Sequence, residues 1–446
     1  MSQGHRTMCP VLSSPRGQWG LRVGALLLLL GALLYFARTG YATARAAGQG
    51  DFRSFYVATQ AVALGLDPYV NHNETGNPDL HDPFARDRVY SRYLYPPFFL
   101  VCILPLRRLS YETAKALWLQ LSIAIGILTV LGYACAVPRR RRFWFVTLAT
   151  GWLFAAYPFH IHLRGGQADL LLGLLIMLGM LAYQRDRRFA AGLLFGFATN
   201  LKVMPILFAL YFLAKRRFVV LVGFAVACAA ALAVSVLALG PQIVPSFLAA
   251  FYELTLSSAR APDLLIYNQS IAAFVHRWFV DWRYTRALWD CARLAQPLSK
   301  GLALLVLGIA GWALKRSTEH RPDSRWLAAS VLTLLMILVP ALSWEYRGVL
   351  LLLPMAALWR LERLPAARTS AVLALLFVAL ALNQYAPLPT TYPLTRVWQL
   401  VLISAKTVLL MGLLGLLTAL LLRADDETGG RATTDTPRTV SNTAGS

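Results

Sequence analysis

Three apolar runs, Leu21 to Phe36, Phe218 to Gly240 and Val397 to Leu422, reach or approach the ~20 residues with which a helix crosses ~30 Å of hydrocarbon. A chain built on such runs folds in a bilayer. Of its 446 residues 57% are hydrophobic and only 14% charged, whereas soluble globular domains carry roughly 25% charged residues. The runs are apolar almost throughout, without the alternation of membrane β-strands, so the expected class is an all-α polytopic membrane protein.

A formal net charge of +22 raises the question of a nucleic-acid partner. The Lys and Arg residues stand in short clusters between apolar runs, with no basic domain to hold a duplex, so nucleic acid is excluded and the clusters are read as topology signals. Cys9, Cys102, Cys135, Cys228 and Cys291 are scattered, without the C-x-x-C or Cys/His spacing of a metal site or disulfide framework. Arg16 and Arg22 precede an apolar stretch longer than the roughly 7 to 15 residues of a signal-peptide core, which predicts an uncleaved anchor behind a cytoplasmic N-terminus, residues 1–17.

Counting positive charge near helix ends assigns Arg139 to Arg142, Arg185, Arg187, Arg188, Lys215 to Arg217, Lys315, Arg316, Arg360, Arg363 and Arg368 to cytoplasmic turns. With these inside, residues 18–422 make about ten full crossings, and both termini are cytoplasmic. Two segments break the count. Tyr95 to Leu106 is short and runs into Arg107 and Arg108, which predicts a half-helix ahead of a full span over Tyr111 to Val137. Phe189 to Ala214 lies between two basic clusters, which predicts two short helices turning near Asn200 to Met204. Such breaks survive at membrane depth only where protein or a wet cavity satisfies the backbone. Residues 39–94 and 241–300 become outer loops whose aromatic and charged mixture suits interfacial helices. The tail, 423–446, has little to bury and is expected to be disordered and cytoplasmic.

Candidate chemistry collects in the outer segments. Asp51-Phe52-Arg53-Ser54-Phe55-Tyr56 follows the first span; Asp51 is either a desolvated proton acceptor or the N-cap of the next helix. Asp67 before Pro68 is a turn residue. Tyr95 precedes tandem prolines that start a helix rigidly. His160 to Asp169 forms a polar turn in which Arg164 suits a phosphate, and its glycines would admit a ligand to the backbone. Lys202 sits at the predicted break, where a buried cation needs a partner such as a lipid-linked phosphate, unless it snorkels to headgroups. Lys406, deep in the last apolar run, raises the same question. Asn268-Gln269-Ser270 matches a glycosylation sequon that is common by chance. Ser343-Trp344-Glu345-Tyr346-Arg347 brings an acid, aromatics and a guanidinium to a helix end, as a sugar subsite or an aromatic belt would.

Six blocks in order, DFRSFYVATQAVALGLDPY, YLYPPFFLVCILPLRRLSYETAKALW, GGQADLLLGLL, GLLFGFATNLKVMPILFALYFLAKRR, NQSIAAF and PALSWEYRGVLLLLP, resemble glycosyltransferase family 87, the polyprenol-phosphate-mannose-dependent members of the GT-C superfamily. The resemblance implies a GT-C-like helical bundle and a polyprenyl-phosphate hexose donor. It implies a glycolipid or glycan acceptor on the outer face of the inner membrane, and inverting transfer without metal or other cofactor. It carries the catalytic Asp onto Asp51, with Arg53, Tyr56 and Tyr95 in support. Lys202, Arg164, Gln167, Arg347, Glu345, Tyr346, Asn268 and Gln269 are the residues expected to bind donor phosphate or sugar. Two positions depart from the family pattern: Glu345 and Tyr346 stand where a His pair is usual, and Gln167-Ala168-Asp169 replaces Gln-x-Asn. The alternatives are a transporter or flippase of a lipid-linked sugar, and a related transferase of another group such as aminoarabinose.

Overall fold

The computed structural model describes residues 15–47, 50–72, 80, 92–260, 262–282, 287–289, 291–319, 321–361, 367–382 and 396–432. Among them no strand forms, and an isolated bridge joins Asn268 to Trp344. The chain is an all-α polytopic membrane protein. Expectations for residues 1–14, much of the outer loop between 73 and 91, Arg363 and residues 433–446 lie outside the described residues.

The elements in chain order are α1 (Pro15–Tyr35), continued by wide π turns over Phe36–Tyr41 and a short α-helical stretch over Ala42–Ala46, α2 (Gly50–Ala63), α3 (Pro97–Ile103), α4 (Tyr111–Ala136), α5 (Arg139–Ala155), α6 (Tyr157–Gly165), α7 (Asp169–Gln184), α8 (Arg188–Leu201) and α9 (Ile206–Ala214). There follow α10 (Phe218–Leu239), α11 (Ile243–Arg260), α12 (Ile271–Phe279), α13 (Ala292–Arg316), α14 (Pro322–Leu338), a 3-10 segment (Glu345–Leu351), α15 (Leu352–Arg360), α16 (Ala367–Ala381) and α17 (Arg396–Ala432). The last helix runs past Arg423, the boundary read from composition, to Ala432.

Local chemistry sets several ends. Ser110 caps α4 by accepting the Thr113 N–H, 3.4 Å, and Ser270 caps α12 by accepting that of Ala273, 3.0 Å. Proline opens the first turn of α3, α6 and α14, where its missing donor costs nothing. The short α3 and the pair α8 and α9, broken at 202–205, follow the two irregularities legible in the charge pattern.

About ten full crossings were expected over residues 18–422. Among the described residues five helices are long and apolar enough to cross a membrane, and six if the pair α6 and α7, bent by 116°, is one broken span. Other apolar helices fall short of a full crossing in length, α7 with 16 residues, α14 with 17 and α16 with 15, and in α14 the side chains from Trp326 to Leu338 are all buried in the bundle. A helix buried all round and one facing lipid have the same composition. Close packing of α8 on α10 depends on Gly192, Gly196 and Gly223, where an added Cβ would lie 2.0, 2.6 and 2.2 Å from facing carbonyl oxygens.

Basic clusters meet at one end of the bundle. The Arg141 guanidinium donates to the carbonyls of Trp359 and Leu361, at 3.2 and 2.6 Å, and Arg360 donates to that of Ala136. Lys215 reaches the Lys315 carbonyl at 3.0 Å, Arg217 pairs with Glu319, and Arg325 lies 5.2 Å over the Tyr183 ring. From that end α7 runs 16 residues, ~24 Å at the helical rise, to Asp169.

Candidate active site

Asp51 stands in the first turn of α2. The helix is fixed beneath it by rings: Phe55 lies 4.8 Å from Tyr95, 5.0 Å from Phe99 and 6.0 Å from Trp118, and Phe52 lies 5.8 Å from Trp118. Such contacts add directional preference to area burial. Tyr56 donates its hydroxyl to the Leu109 carbonyl, 2.8 Å, and so ties α2 to the turn before α4. Arg53 is buried on the same helix.

The turn between α6 and α7 closes over this helix. Gly166 has φ +68°, a left-handed conformation that suits glycine, and its carbonyl accepts the Trp118 indole N–H at 2.9 Å. The next residue, Gln167, is buried. Its Oε1 accepts the Tyr95 hydroxyl at 3.0 Å, and its Nε2 donates to Asp51 Oδ2. Burial, with the neighbouring Tyr346 phenol and the Asp169 and Asp51 carboxylates, holds the Tyr95 phenol well above its usual range. Tyr95 therefore stays a protonated donor and orients the amide so that its NH₂ faces the carboxylate.

Asp169, fully buried in the first turn of α7, accepts Lys202 Nζ at 2.8 Å, where the helix dipole also favours an anion. Lys202 follows α8 in extended conformation, between the rings of Tyr95 at 5.2 Å and Tyr346 at 5.4 Å. Asp51, Asp169 and Arg347 all lie close enough to act on its ammonium. The Arg347 guanidinium is buried, and its Nε and one terminal nitrogen have no hydrogen-bond partner. Two carboxylates, two cations, two phenols and an amide thus face one another at the end of the bundle opposite the basic clusters.

The other expected residues are placed differently. Arg164 is exposed at the end of α6. Asn268 gives its amide to the carbonyls of Asp263 and Ala341, at 2.7 and 2.9 Å, and its oxygen to the N–H groups of Ser270 and Ser343, at 3.1 and 3.0 Å. All four of its capacities are used inside the protein, so it stitches the second outer loop to the Ser343 segment and keeps nothing for a ligand. Gln269 accepts the Thr407 hydroxyl at 2.9 Å. Glu345 pairs with Lys406, which lies 5.5 Å over the Tyr157 ring. Asp67 accepts the Tyr69 N–H at 2.8 Å, as a turn residue does. Sequence reasoning missed Asp169 as the partner of Lys202, although the exchange of Asn for Asp in the Gln-x-Asn position was the available signal.

Residues 93–340, more than half of the chain, match the family model of glycosyltransferase family 87. That stretch takes in Tyr95, Gln167, Asp169 and Lys202 and leaves out Asp51 and Arg347. The chain is also 28% identical over 216 residues to the polyprenol-phosphate-mannose-dependent alpha-(1-2)-phosphatidylinositol pentamannoside mannosyltransferase of Mycolicibacterium smegmatis. The alignment spans 47% of each protein, about half the length of that relative. On an all-helical membrane frame, with more than half of its length matched in this way, the chain belongs to glycosyltransferase family 87.

Proposed function

We propose that the protein is an integral-membrane hexosyltransferase that moves a sugar, mannose in the first instance, from a polyprenyl-phosphate donor to a hydroxyl of a glycolipid or glycan. Family membership and the relative's printed activity support the reaction class. The observation that carries the residue assignment is the Gln167 contact, which brings the Asp51 carboxylate to the α6–α7 turn beside Lys202 and Arg347.

In the proposed step Asp51 takes the proton from the acceptor hydroxyl as its oxygen bonds to the anomeric carbon. The bond from that carbon to the phosphate oxygen breaks, and the electron pair leaves with the polyprenyl phosphate. Arg347, with partnerless nitrogens, and Lys202, spread between Asp169 and two rings, stabilise the leaving phosphate. Fixed cations carry that charge, so the step calls on no metal. A single displacement inverts the anomeric centre. Gln167 and Tyr95 orient the base, and Arg53 and Tyr56 hold α2 in place. Basic clusters attract to the cytoplasmic side, so the opposite end, with Asp51, faces outward from the inner membrane.

The test is transfer from polyprenyl-phosphate mannose by purified protein in detergent, where no compartments exist and a flippase makes no product. Asp51→Asn is expected to lower turnover by about 10²–10⁴-fold while the donor still binds. Normal turnover by that variant removes Asp51 from the mechanism, and no glycoside from the unaltered protein removes the reaction.

A further inference from the structure

The 3-10 segment that carries Arg347 has about three residues per turn, so residues three apart share a face. Glu345, Gly348 and Leu351 form one face, and all three line a cleft with Pro158 of α6 and with Lys406 and Leu410 of α17. Arg347 and Leu350 form the face toward α7. Leu350 Cδ2 lies 3.3 Å from where a Cβ on Gly173 would stand, and Arg347 is close enough to Asp169, at the head of that helix, to act on its carboxylate. Tyr346, on the third face, sets its ring 5.4 Å from Lys202 Nζ. Rotation of the segment about its own axis therefore decides where all three faces point.

On the first face Glu345 pairs with Lys406, each side chain only 2% exposed. Apolar residues of similar volume often replace such a buried pair without loss of stability, and ionisable groups inside a membrane bundle point to function. The space beside the pair admits no more than about one water, so that function is exercised through the protein and not on a ligand. A charge-assisted hydrogen bond has a direction, whereas apolar contact has none. The second outer loop already holds the start of the segment: the Gln269 N–H donates to the Ser343 carbonyl at 2.6 Å, and the Glu345 N–H to that of Tyr267 at 2.9 Å. Thr407, beside Lys406 on α17, donates to Gln269 of the same loop at 2.9 Å. We propose that Glu345 and Lys406 are positioning residues of the transfer step. Their pair, anchored on α17, fixes the rotation of the 3-10 segment and so aims Arg347 at the leaving phosphate and Tyr346 at Lys202. The inference rests on the transferase reading, in which Arg347 meets that phosphate.

Two readouts on the full chain in detergent test the role: transfer from polyprenyl-phosphate mannose, and binding of polyprenyl phosphate, which carries the leaving phosphate and needs no turnover. Glu345→Leu combined with Lys406→Met removes both charges and keeps the volume. It is expected to melt near the unaltered temperature, to lower kcat by about 10–100-fold, as misplacing a catalytic group does, and to weaken polyprenyl phosphate binding. In an Arg347→Gln background the same change is expected to alter either readout by less than about twofold, because it acts through a guanidinium already gone, whereas changes at independent sites multiply. If the double variant fails to fold, Gly348→Ala takes its place with the same expectations. Its Cβ would lie 2.9 Å from the Pro158 ring and turns the same face without touching either charge. Undiminished turnover in a folded variant, or a loss that multiplies with that of Arg347→Gln, overturns the positioning role and leaves the transferase reading standing. A protein that moves no sugar but binds polyprenyl phosphate through Arg347 and the pair keeps the positioning role and loses the transferase reading. Neither transfer nor binding by the unaltered protein removes both.

Discussion

At the scale of single residues, Lys202 and Asp169 pair at 2.8 Å with side chains 15% and 0% exposed. A charge so placed is tolerable only with its partner, and losing one member of a buried pair costs about 3–5 kcal/mol. Lys202→Met alone is therefore expected to lower the melting temperature of purified protein markedly. Adding Asp169→Asn removes the stranded carboxylate and recovers most of the melting temperature. Turnover stays down by about 10²–10³-fold, because the cation is still missing from the leaving phosphate. A single variant that melts with the unaltered protein would show that the pair is not formed. Part of this was legible in the sequence: a lone Lys between apolar stretches is costly wherever it sits, and Asp51 was a candidate acid from its place after the first span. Its bond to Gln167 was not legible, nor was the Lys202 partner. Both contacts join segments far apart in the chain and exist only once α2, α7 and α8 have docked.

Among elements, the packing of α8 on α10 decides where Lys202 ends up. Gly192→Val would drive a side chain into the Val220 carbonyl, 2.0 Å from the new Cβ, and carbonyls inside a helix cannot step aside. Overpacking of this kind costs about 1–3 kcal/mol, and a displaced α8 also moves the lysine at its end, so melting temperature and transfer should fall together. Gly301→Val on α13, where an added Cβ meets nothing within 4 Å, is the control and should melt unchanged. Equal behaviour of the two would mean that α8 and α10 are not in contact. The break between α8 and α9 was readable from two basic clusters that both belong inside, with too few residues between them to cross twice. The role of α14 was not, because hydropathy reports what a helix is made of and says nothing of what surrounds it. Only packing separates its buried apolar side chains from the exposed Leu304, Leu305 and Ile309 of α13.

For the whole molecule, polarity runs along the helices. α4 begins beside the Trp118 contact with Gly166 and ends at Ala136, whose carbonyl accepts Arg360; its 26 residues span ~39 Å at the helical rise. α7 runs the same course from Asp169 to the basic end. One end therefore holds the clustered arginines and lysines and the other the acid, amide and cation centre, and the positive-inside rule turns that polarity into an orientation. Arg140 and Arg164 are both exposed, one at each end, and single cysteines there report sidedness in a background cleared of Cys9, Cys102, Cys135, Cys228 and Cys291. On intact spheroplasts a membrane-impermeant maleimide should label Arg164→Cys at once and Arg140→Cys only after permeabilisation. The proposed chemistry requires this pattern, because an acceptor outside the inner membrane can meet Asp51 only if the α6–α7 turn faces it. Labelling of both positions from one side would mean that the two ends do not lie across the bilayer. Reversed labelling would leave the packing intact and turn the base toward the cytoplasm, where a donor sugar presented on the outer leaflet cannot reach it.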